Sequence, residues 1–176
     1  MAFMRNYQDM VFSTAARLSG DDAQAEDISQ EVFVRAFEHY AQLRDSPAAG
    51  GWLKTVATNL TLNYLTRYRK RRRLFSELAD DESAALDAPP AGWELEDTLL
   101  AKLGAEERRR CIDDALRRLP ASQRVPLVLY HFEELSYQEI ADQLGASLTK
   151  IKTDIRRARA AMFALLQSDG LVRESL

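Results

Sequence analysis

Apolar residues recur every three or four positions through most of this chain, which is the period of an amphipathic α-helix. In the N-terminal part the pattern predicts a first helix that ends at Gly20 and a second helix that opens with Asp21 and Asp22. A third helix is predicted from Trp52 into a run of arginines. We predict that the buried stripe of the second helix consists of Ile28, Val32, Ala36 and Phe37.

Two segments interrupt the helical pattern. Residues 44–51 are predicted to form a loop, because Pro47 and two adjacent glycines lie within them. Residues 74–104 are rich in Asp, Ala and Pro, and Pro89-Pro90 excludes a continuous helix there. We interpret this second segment as a flexible acidic linker between two small domains.

The C-terminal half predicts a helix-turn-helix. Ser136 and Glu139 have the spacing of a capping box at the start of a short helix. Gly145 is suited to end that helix in the left-handed conformation, and Ser147 is suited to cap the next one. No alternation typical of strands is found, so the sequence predicts an all-α protein whose C-terminal domain contains the helix-turn-helix.

Composition excludes several functional classes. The 176 residues include one cysteine, Cys111, and two histidines, His39 and His131, so neither an internal disulfide nor a clustered metal site is expected. No phosphate-binding loop, nucleophile elbow or paired-carboxylate motif is found, and we expect neither an enzyme nor a cofactor. The chain lacks a long apolar run and an N-terminal signal peptide, so we expect a cytoplasmic protein without membrane insertion.

The net charge of -3 is unevenly distributed. Residues 67–73 are almost all basic, whereas the eight charged residues from 76 to 100 are all acidic. A second basic group lies between Lys150 and Arg159. Two separated basic patches in an acidic protein are typical of a nucleic-acid-binding protein that also has another partner.

The predicted second helix of the helix-turn-helix offers cations to DNA. Lysine and arginine bind phosphates and can also contact guanine edges in the major groove. The alternative is an ordinary solvated basic helix. These features alone would also fit a response-regulator output domain or a stand-alone repressor. The polar face of the predicted recognition helix consists of Thr149, Lys150, Lys152, Thr153, Arg156 and Arg157.

Two separate motifs resemble the small extracytoplasmic-function sigma factors. Residues 135–141 (Leu-Ser-Tyr-Gln-Glu-Ile-Ala), continuing to Ile151-Lys152-Thr153 and Arg157-Ala158-Arg159, are similar to region 4 of this family. Residues 25–33, followed by Trp52-Leu53 and Ala57-Thr58-Asn59, are similar to region 2. The resemblance implies that residues 1–73 form region 2, 74–104 the linker, 105–168 region 4 and 169–176 a tail.

The resemblance also implies roles for individual residues. Asp27, Gln30 and Glu31 would contact core RNA polymerase. A region 2 surface would bind the −10 element of promoter DNA, including a flipped base, through Leu43, Arg44, Asn59, Asn63 and Arg67. The recognition helix would bind the −35 element through Lys150, Lys152, Thr153, Arg156 and Arg157. An anti-sigma factor is a further expected partner, and the acidic linker would lie in the channels of the polymerase.

The sequence departs from the family pattern at several positions. Leu43 replaces a residue that is commonly aromatic, and Thr149 replaces a glycine. Asp154 stands where the family usually has a basic residue, and a carboxylate there would repel phosphate. Either this helix docks slightly differently or Asp154 pairs with a neighbouring arginine. The chain also begins at the helix containing Tyr7, so the helix that usually precedes it is expected to be missing or curtailed. Two other interpretations of the function remain, which are a stand-alone helix-turn-helix regulator and a sigma-mimic interaction protein.

Overall fold

The chain divides into two compact units, Met1–Ser83 and Ala84–Leu176, and the computed structural model describes residues 2–75 and 103–170. The predicted acidic linker lies outside the described residues, except for its two ends. All regular secondary structure in the described residues is helical, as predicted. No helix among these residues combines the length and the apolar character needed to cross a membrane.

The first unit contains four described helices. They are α1 (Ala2–Ser19), α2 (Asp22–Glu38), α3 (Tyr40–Leu43) and α4 (Ala49–Phe75). The long helices α1, α2 and α4 pack against one another around fully buried Val11, Val32 and Leu53. Both predicted helix ends between α1 and α2 are confirmed: Gly20 is left-handed with φ 70°, and the Asp21 carboxylate accepts a hydrogen bond from the Gln24 amide. This packing leaves one face of α2 and one of α4 in solvent.

The predicted loop is shorter than expected because α4 already begins at Ala49. Gly50 and Gly51 therefore lie in the first turn of a helix, where the prediction of a loop through residue 51 was wrong. A Cβ atom at position 50 would lie 3.3 Å from the Tyr7 ring, so the glycine permits close packing of α4 on α1.

Phe37 also differs from the prediction. Ile28, Val32 and Ala36 form the buried stripe of α2, but Phe37 is 79% exposed. Residues spaced by four positions share one face of a helix, whereas the residue directly after Ala36 is rotated by about 100° away from that face. Phe37 therefore belongs to the solvent face of α2.

The second unit packs its helices around a long C-terminal helix. They are α5 (Ala105–Arg118), α6 (Ala121–His131), α7 (Tyr137–Leu144) and α8 (Leu148–Ser168). Helices α5, α6 and α7 all contact α8, and α6 also contacts α7. Leu129, Ile140 and Ile155 are almost completely buried in the core that results. Pro126 lies inside α6, in its second turn.

Candidate functional site

The exposed face of α2 carries the three residues assigned to polymerase binding. Asp27, Gln30 and Glu31 are all exposed, and their spacing of three and four residues places them on one side of the helix. The Glu31 carboxylate accepts a hydrogen bond of 3.0 Å from Nε of Arg35. The structure thus brings these side chains together as an accessible row of hydrogen-bond acceptors.

Two large apolar side chains continue the same face towards the C-terminal end of α2. Val34 is 58% exposed and lies three residues after Glu31, and Phe37 is 79% exposed and lies three residues after Val34. Neither side chain was predicted from the sequence to form part of this surface. Exposed aromatic side chains next to polar groups are typical of the anchoring residues of protein interfaces.

The exposed face of α4 carries Asn59, Asn63 and Arg67. Thr55 and Thr66 lie on this face as well, and each hydroxyl donates a 2.9 Å hydrogen bond to the backbone carbonyl four residues earlier. The oxygens of both hydroxyls keep acceptor capacity. The face is therefore polar but mostly uncharged, a composition suited to hydrogen bonding with bases.

Leu43 and Arg44 are separated by the fold, although they are adjacent in sequence. Leu43 ends α3 and is 7% exposed, within the core between α1, α2 and α4. Arg44 is exposed, and its Nε lies 2.8 Å from the Asp45 carboxylate. A base could reach Arg44 directly, whereas contact with Leu43 would require α3 to move.

The helix-turn-helix is formed by α7 and α8, as predicted. The Glu139 amide donates to Ser136 Oγ at 3.3 Å, and the Ser136 amide donates to the Glu139 carboxylate at 2.8 Å, which completes the capping box. Hydrogen bonds from the Ser136 hydroxyl and amide lower the pKa of Glu139. Gly145 is left-handed with φ 61°, and Ser147 Oγ accepts from the Lys150 amide. Local hydrogen bonds therefore fix both ends of the turn.

The predicted DNA-binding residues of α8 lie along its outer side. Lys150, Lys152 and Arg156 are exposed, while Thr153 and Arg157 are half-buried. Thr153 donates its hydroxyl proton to the Thr149 carbonyl at 2.9 Å. This surface combines cations with a hydroxyl, the groups that bind phosphates and base edges in duplex DNA.

Arg159 is directed away from that surface by contacts with α6. Its guanidinium lies 5.3 Å from the centre of the Tyr130 ring and donates to Nε2 of His131 at 3.2 Å. Tyr130 stacks on Tyr137 of α7 with ring centres 4.8 Å apart. Burial and the nearby Arg159 charge lower the pKa of His131, while burial and the Tyr130 hydroxyl raise the pKa of Tyr137. This cluster joins α6, α7 and α8 on one side of the domain.

Asp154 does not lie on the outer side of α8 that is predicted to contact DNA, where its carboxylate would repel phosphate. It is 6% exposed and points towards the interior, on the same side of α8 as Ile151 and Ile155. Its partner is Lys150, whose Nζ lies 2.8 Å from Oδ2, rather than an arginine. The expected conflict with DNA is removed because the helix turns this carboxylate inward.

Comparison with known proteins assigns a family to both units. A model described as Sigma-70 region 2 matches residues 3–72, and one described as Sigma-70, region 4 matches residues 109–162. The chain is 30% identical over 177 residues to the ECF RNA polymerase sigma factor SigL of Mycobacterium tuberculosis, which covers 98% of this chain and 93% of SigL. It is 33% identical over 156 residues to SigE of Mycolicibacterium smegmatis, covering 89% of this chain but only 57% of SigE.

A solved structure has the same fold. It is the sigma factor RpoE from Bartonella quintana, crystallised in complex with the anti-sigma factor NepR. The match has a TM-score of 0.50 and 24% sequence identity, and it covers 96% of each chain. Both family models match in the expected order, and SigL is related over almost its whole length. The chain therefore belongs to the extracytoplasmic-function family of RNA polymerase sigma factors.

Proposed function

We propose that this chain is a sigma subunit that binds core RNA polymerase and directs it to promoters. The observation that carries the proposal is the presence, in one chain, of an accessible acceptor row on α2 and a capped helix-turn-helix with a cationic face. A repressor needs only the second of these features, and a sigma mimic needs no cationic recognition face. The role is recognition and positioning, so the chain itself catalyses no reaction, and its place is in the cytoplasm with the polymerase.

In this proposal, the polymerase binds the exposed face of α2. Asp27, Gln30 and Glu31 accept hydrogen bonds from basic or amide groups of the partner. The apolar side chains of Val34 and Phe37 extend this surface and supply buried area at its end. Charged residues would then steer the encounter, and the aromatic ring would slow dissociation.

The −10 element is bound by the polar face of α4 and by Arg44. Asn59 and Asn63 present amide groups that can pair with base edges, and Arg67 attracts the phosphate backbone. Strand separation requires a base to leave the duplex, and its binding to protein offsets the lost stacking. Leu43 supports this surface from the core by holding α3.

The −35 element is bound as duplex DNA by α8. Lys152, Arg156 and Arg157 supply positive charge to phosphates. Lys150 lies in the first turn of α8 and Thr153 in the second, within the N-terminal part of a recognition helix that contacts base edges. An anti-sigma factor would hold the chain inactive by covering these same surfaces. The related RpoE was crystallised with such a partner, which supports this part of the proposal.

Reconstitution with purified bacterial core polymerase tests the proposal. We expect the full chain to form a stable complex with core and to start transcription from a subset of a random promoter library. Asp27→Ala and Glu31→Ala should each weaken core binding by about tenfold, equivalent to about 1.4 kcal/mol. Asp9→Ala, at an exposed acid on α1, is the matched control and should bind like the wild type. Absence of a complex, or a complex that never initiates, would contradict the proposal.

A further inference from the structure

Asp154 is the only buried carboxylate among the residues whose side chains the structure describes. Its side chain is 9% exposed, whereas that of its partner Lys150 is 58% exposed. A buried carboxylate is strongly unfavourable without a partner, so the 2.8 Å contact with Lys150 Nζ holds the lysine as firmly as it satisfies the aspartate. The buried Asp154 carboxylate therefore holds the exposed ammonium group of Lys150 in one position.

Lys150 lies at a position of α8 from which a side chain can contact bases. Lys150 is in the first turn of α8, and its amide donates to the capping hydroxyl of Ser147. Residues in the first turn of a recognition helix are those that reach base edges in the major groove. In contrast, Lys152 and Arg156 lie further along the exposed side and have no ion-pair partner among the described residues.

Fixing a lysine changes what it contributes to DNA binding. A free lysine must lose the rotational freedom of its four-carbon stem when it contacts one base, so it binds phosphates with little selectivity. A lysine held by a carboxylate has lost that freedom on folding. Because the pair is neutral, it also adds little to the general attraction for phosphate. Its contribution is then directed to discrimination between base pairs.

We propose that Asp154 is a positioning residue that orients Lys150 to read a guanine edge in the upstream duplex. The proposal rests on the proposed function, since it assumes that α8 binds promoter DNA. It gives the aspartate a role in sequence selectivity, although the residue itself does not touch DNA. The other cations of α8 provide affinity that does not depend on sequence.

The proposal predicts opposite changes in selectivity and in general affinity. Asp154→Asn frees Lys150 and adds one unpaired positive charge to the surface. We expect non-specific duplex binding to strengthen, with a dependence on log salt concentration steeper by about one. The preference for one G·C pair in the selected sequence should fall by about five- to tenfold. The loss of preference at one base pair, rather than the change in salt dependence, distinguishes a positioning role from a purely structural one, because removal of the carboxylate frees the lysine charge in either case.

Selection of bound DNA from a duplex library with randomised upstream positions tests these expectations, with the full chain bound to core polymerase. Lys150→Met and Asp154→Asn should lose preference at the same base pair, and the double variant should lose no more than either. Lys152→Met is the matched control and should weaken binding to all sequences without changing the selected sequence. Asp154→Leu serves as a second variant, because an apolar residue suits a buried position, and it should lose the same preference.

Three results would contradict the positioning role of Asp154 or the proposed function on which it rests. Unchanged selectivity in folded Asp154→Asn and Asp154→Leu variants overturns the positioning role. A loss caused by Asp154→Asn that persists undiminished in the Lys150→Met background also overturns it, because Asp154 would then act without Lys150. If the wild-type chain selects no sequence while bound to polymerase, the proposed function fails, and the inference fails with it.

Discussion

Glu134, between α6 and α7, has a backbone φ of 57°, in the left-handed region. Among the described residues it is the only one other than glycine with a positive φ. This conformation costs a side-chain-bearing residue about 1–2 kcal/mol, of which a glycine recovers most. The chain thus keeps a strained residue directly before the helix-turn-helix.

Glu134→Gly is expected to stabilise the second unit. Relief of strain outweighs the greater freedom of glycine in the unfolded chain, which costs about 0.4–1 kcal/mol, so we expect a net gain of about 0.5–1 kcal/mol. Thermal unfolding followed by circular dichroism measures it. Glu134→Ala is the control because it removes the carboxylate but keeps the strain, and an equal gain from alanine would show that conformation is not the cause.

His131 makes the stability of the second unit depend on pH. Its pKa is lowered from the ordinary value of 6.5 by burial and by Arg159, so the unfolded chain takes up a proton before the folded one does. Stability therefore falls as the pH decreases from about 6.5 towards the lower folded value. His131→Gln keeps an acceptor for Arg159 but does not titrate. We expect a smaller difference in melting temperature between pH 7.5 and pH 5.5 in this variant, and an unchanged difference would contradict the assignment.

The start of α7 depends on Ser136, whose hydroxyl donates to Glu139 Oε2 at 2.7 Å and accepts from the Glu139 amide. Ser136→Ala should lower the free energy of unfolding by about 1 kcal/mol, a typical effect of losing an N-cap. Ser136→Thr, which keeps a hydroxyl, should recover most of the loss in the same urea titration. The Ser136 hydroxyl and amide both donate to the Glu139 carboxylate and lower its pKa. The cap is therefore complete above the ordinary pKa of 4.5 and weakens as the pH falls through the lower folded value.

Elements closed by local hydrogen bonds were predictable from sequence. The capping box, the left-handed Gly145 and the Asp21 cap each involve residues within a few positions of one another, and all three predictions are confirmed. The side of a helix that packs into the core was less predictable from the sequence. Phe37 was assigned to the wrong side of α2, and the inward position of Asp154 was not predicted. A rotation of about 100° between neighbouring residues separates core from solvent, and only tertiary packing fixes that choice.

The same distinction applies to the candidate sites. Motif spacing was enough to place Asp27, Gln30 and Glu31 on one face of α2, because that follows from helix geometry alone, and their polar side chains opposite the apolar stripe favoured an exposed position for that face. It could not show that Leu43 lies in the core or that Lys150 is held by a buried partner. Those facts depend on contacts between α3 and the long helices, and on which side of α8 packs inward. Both are properties of a packed unit rather than of a segment.

At the scale of the whole molecule, the proposed division of labour predicts that surface variants separate polymerase binding from DNA selectivity. Phe37→Ser should leave the fold intact, since the 79% exposed ring contributes little to the core. It should weaken binding to core polymerase by about tenfold, equivalent to about 1.4 kcal/mol, because the ring would be buried in the complex. Competition for core between wild-type and variant chains measures this effect.

The complex that the Phe37→Ser chain still forms with core polymerase should select the same promoter sequences as the wild-type complex, since α8 is unaltered. The matched control is Met4→Ser, which removes a 51% exposed apolar side chain from α1, outside the α2 row. If both variants weaken core binding equally, general surface hydrophobicity rather than an α2 interface would explain the loss. A loss confined to Phe37→Ser extends the docking surface by almost two helical turns beyond the three polar residues that the family motif identifies.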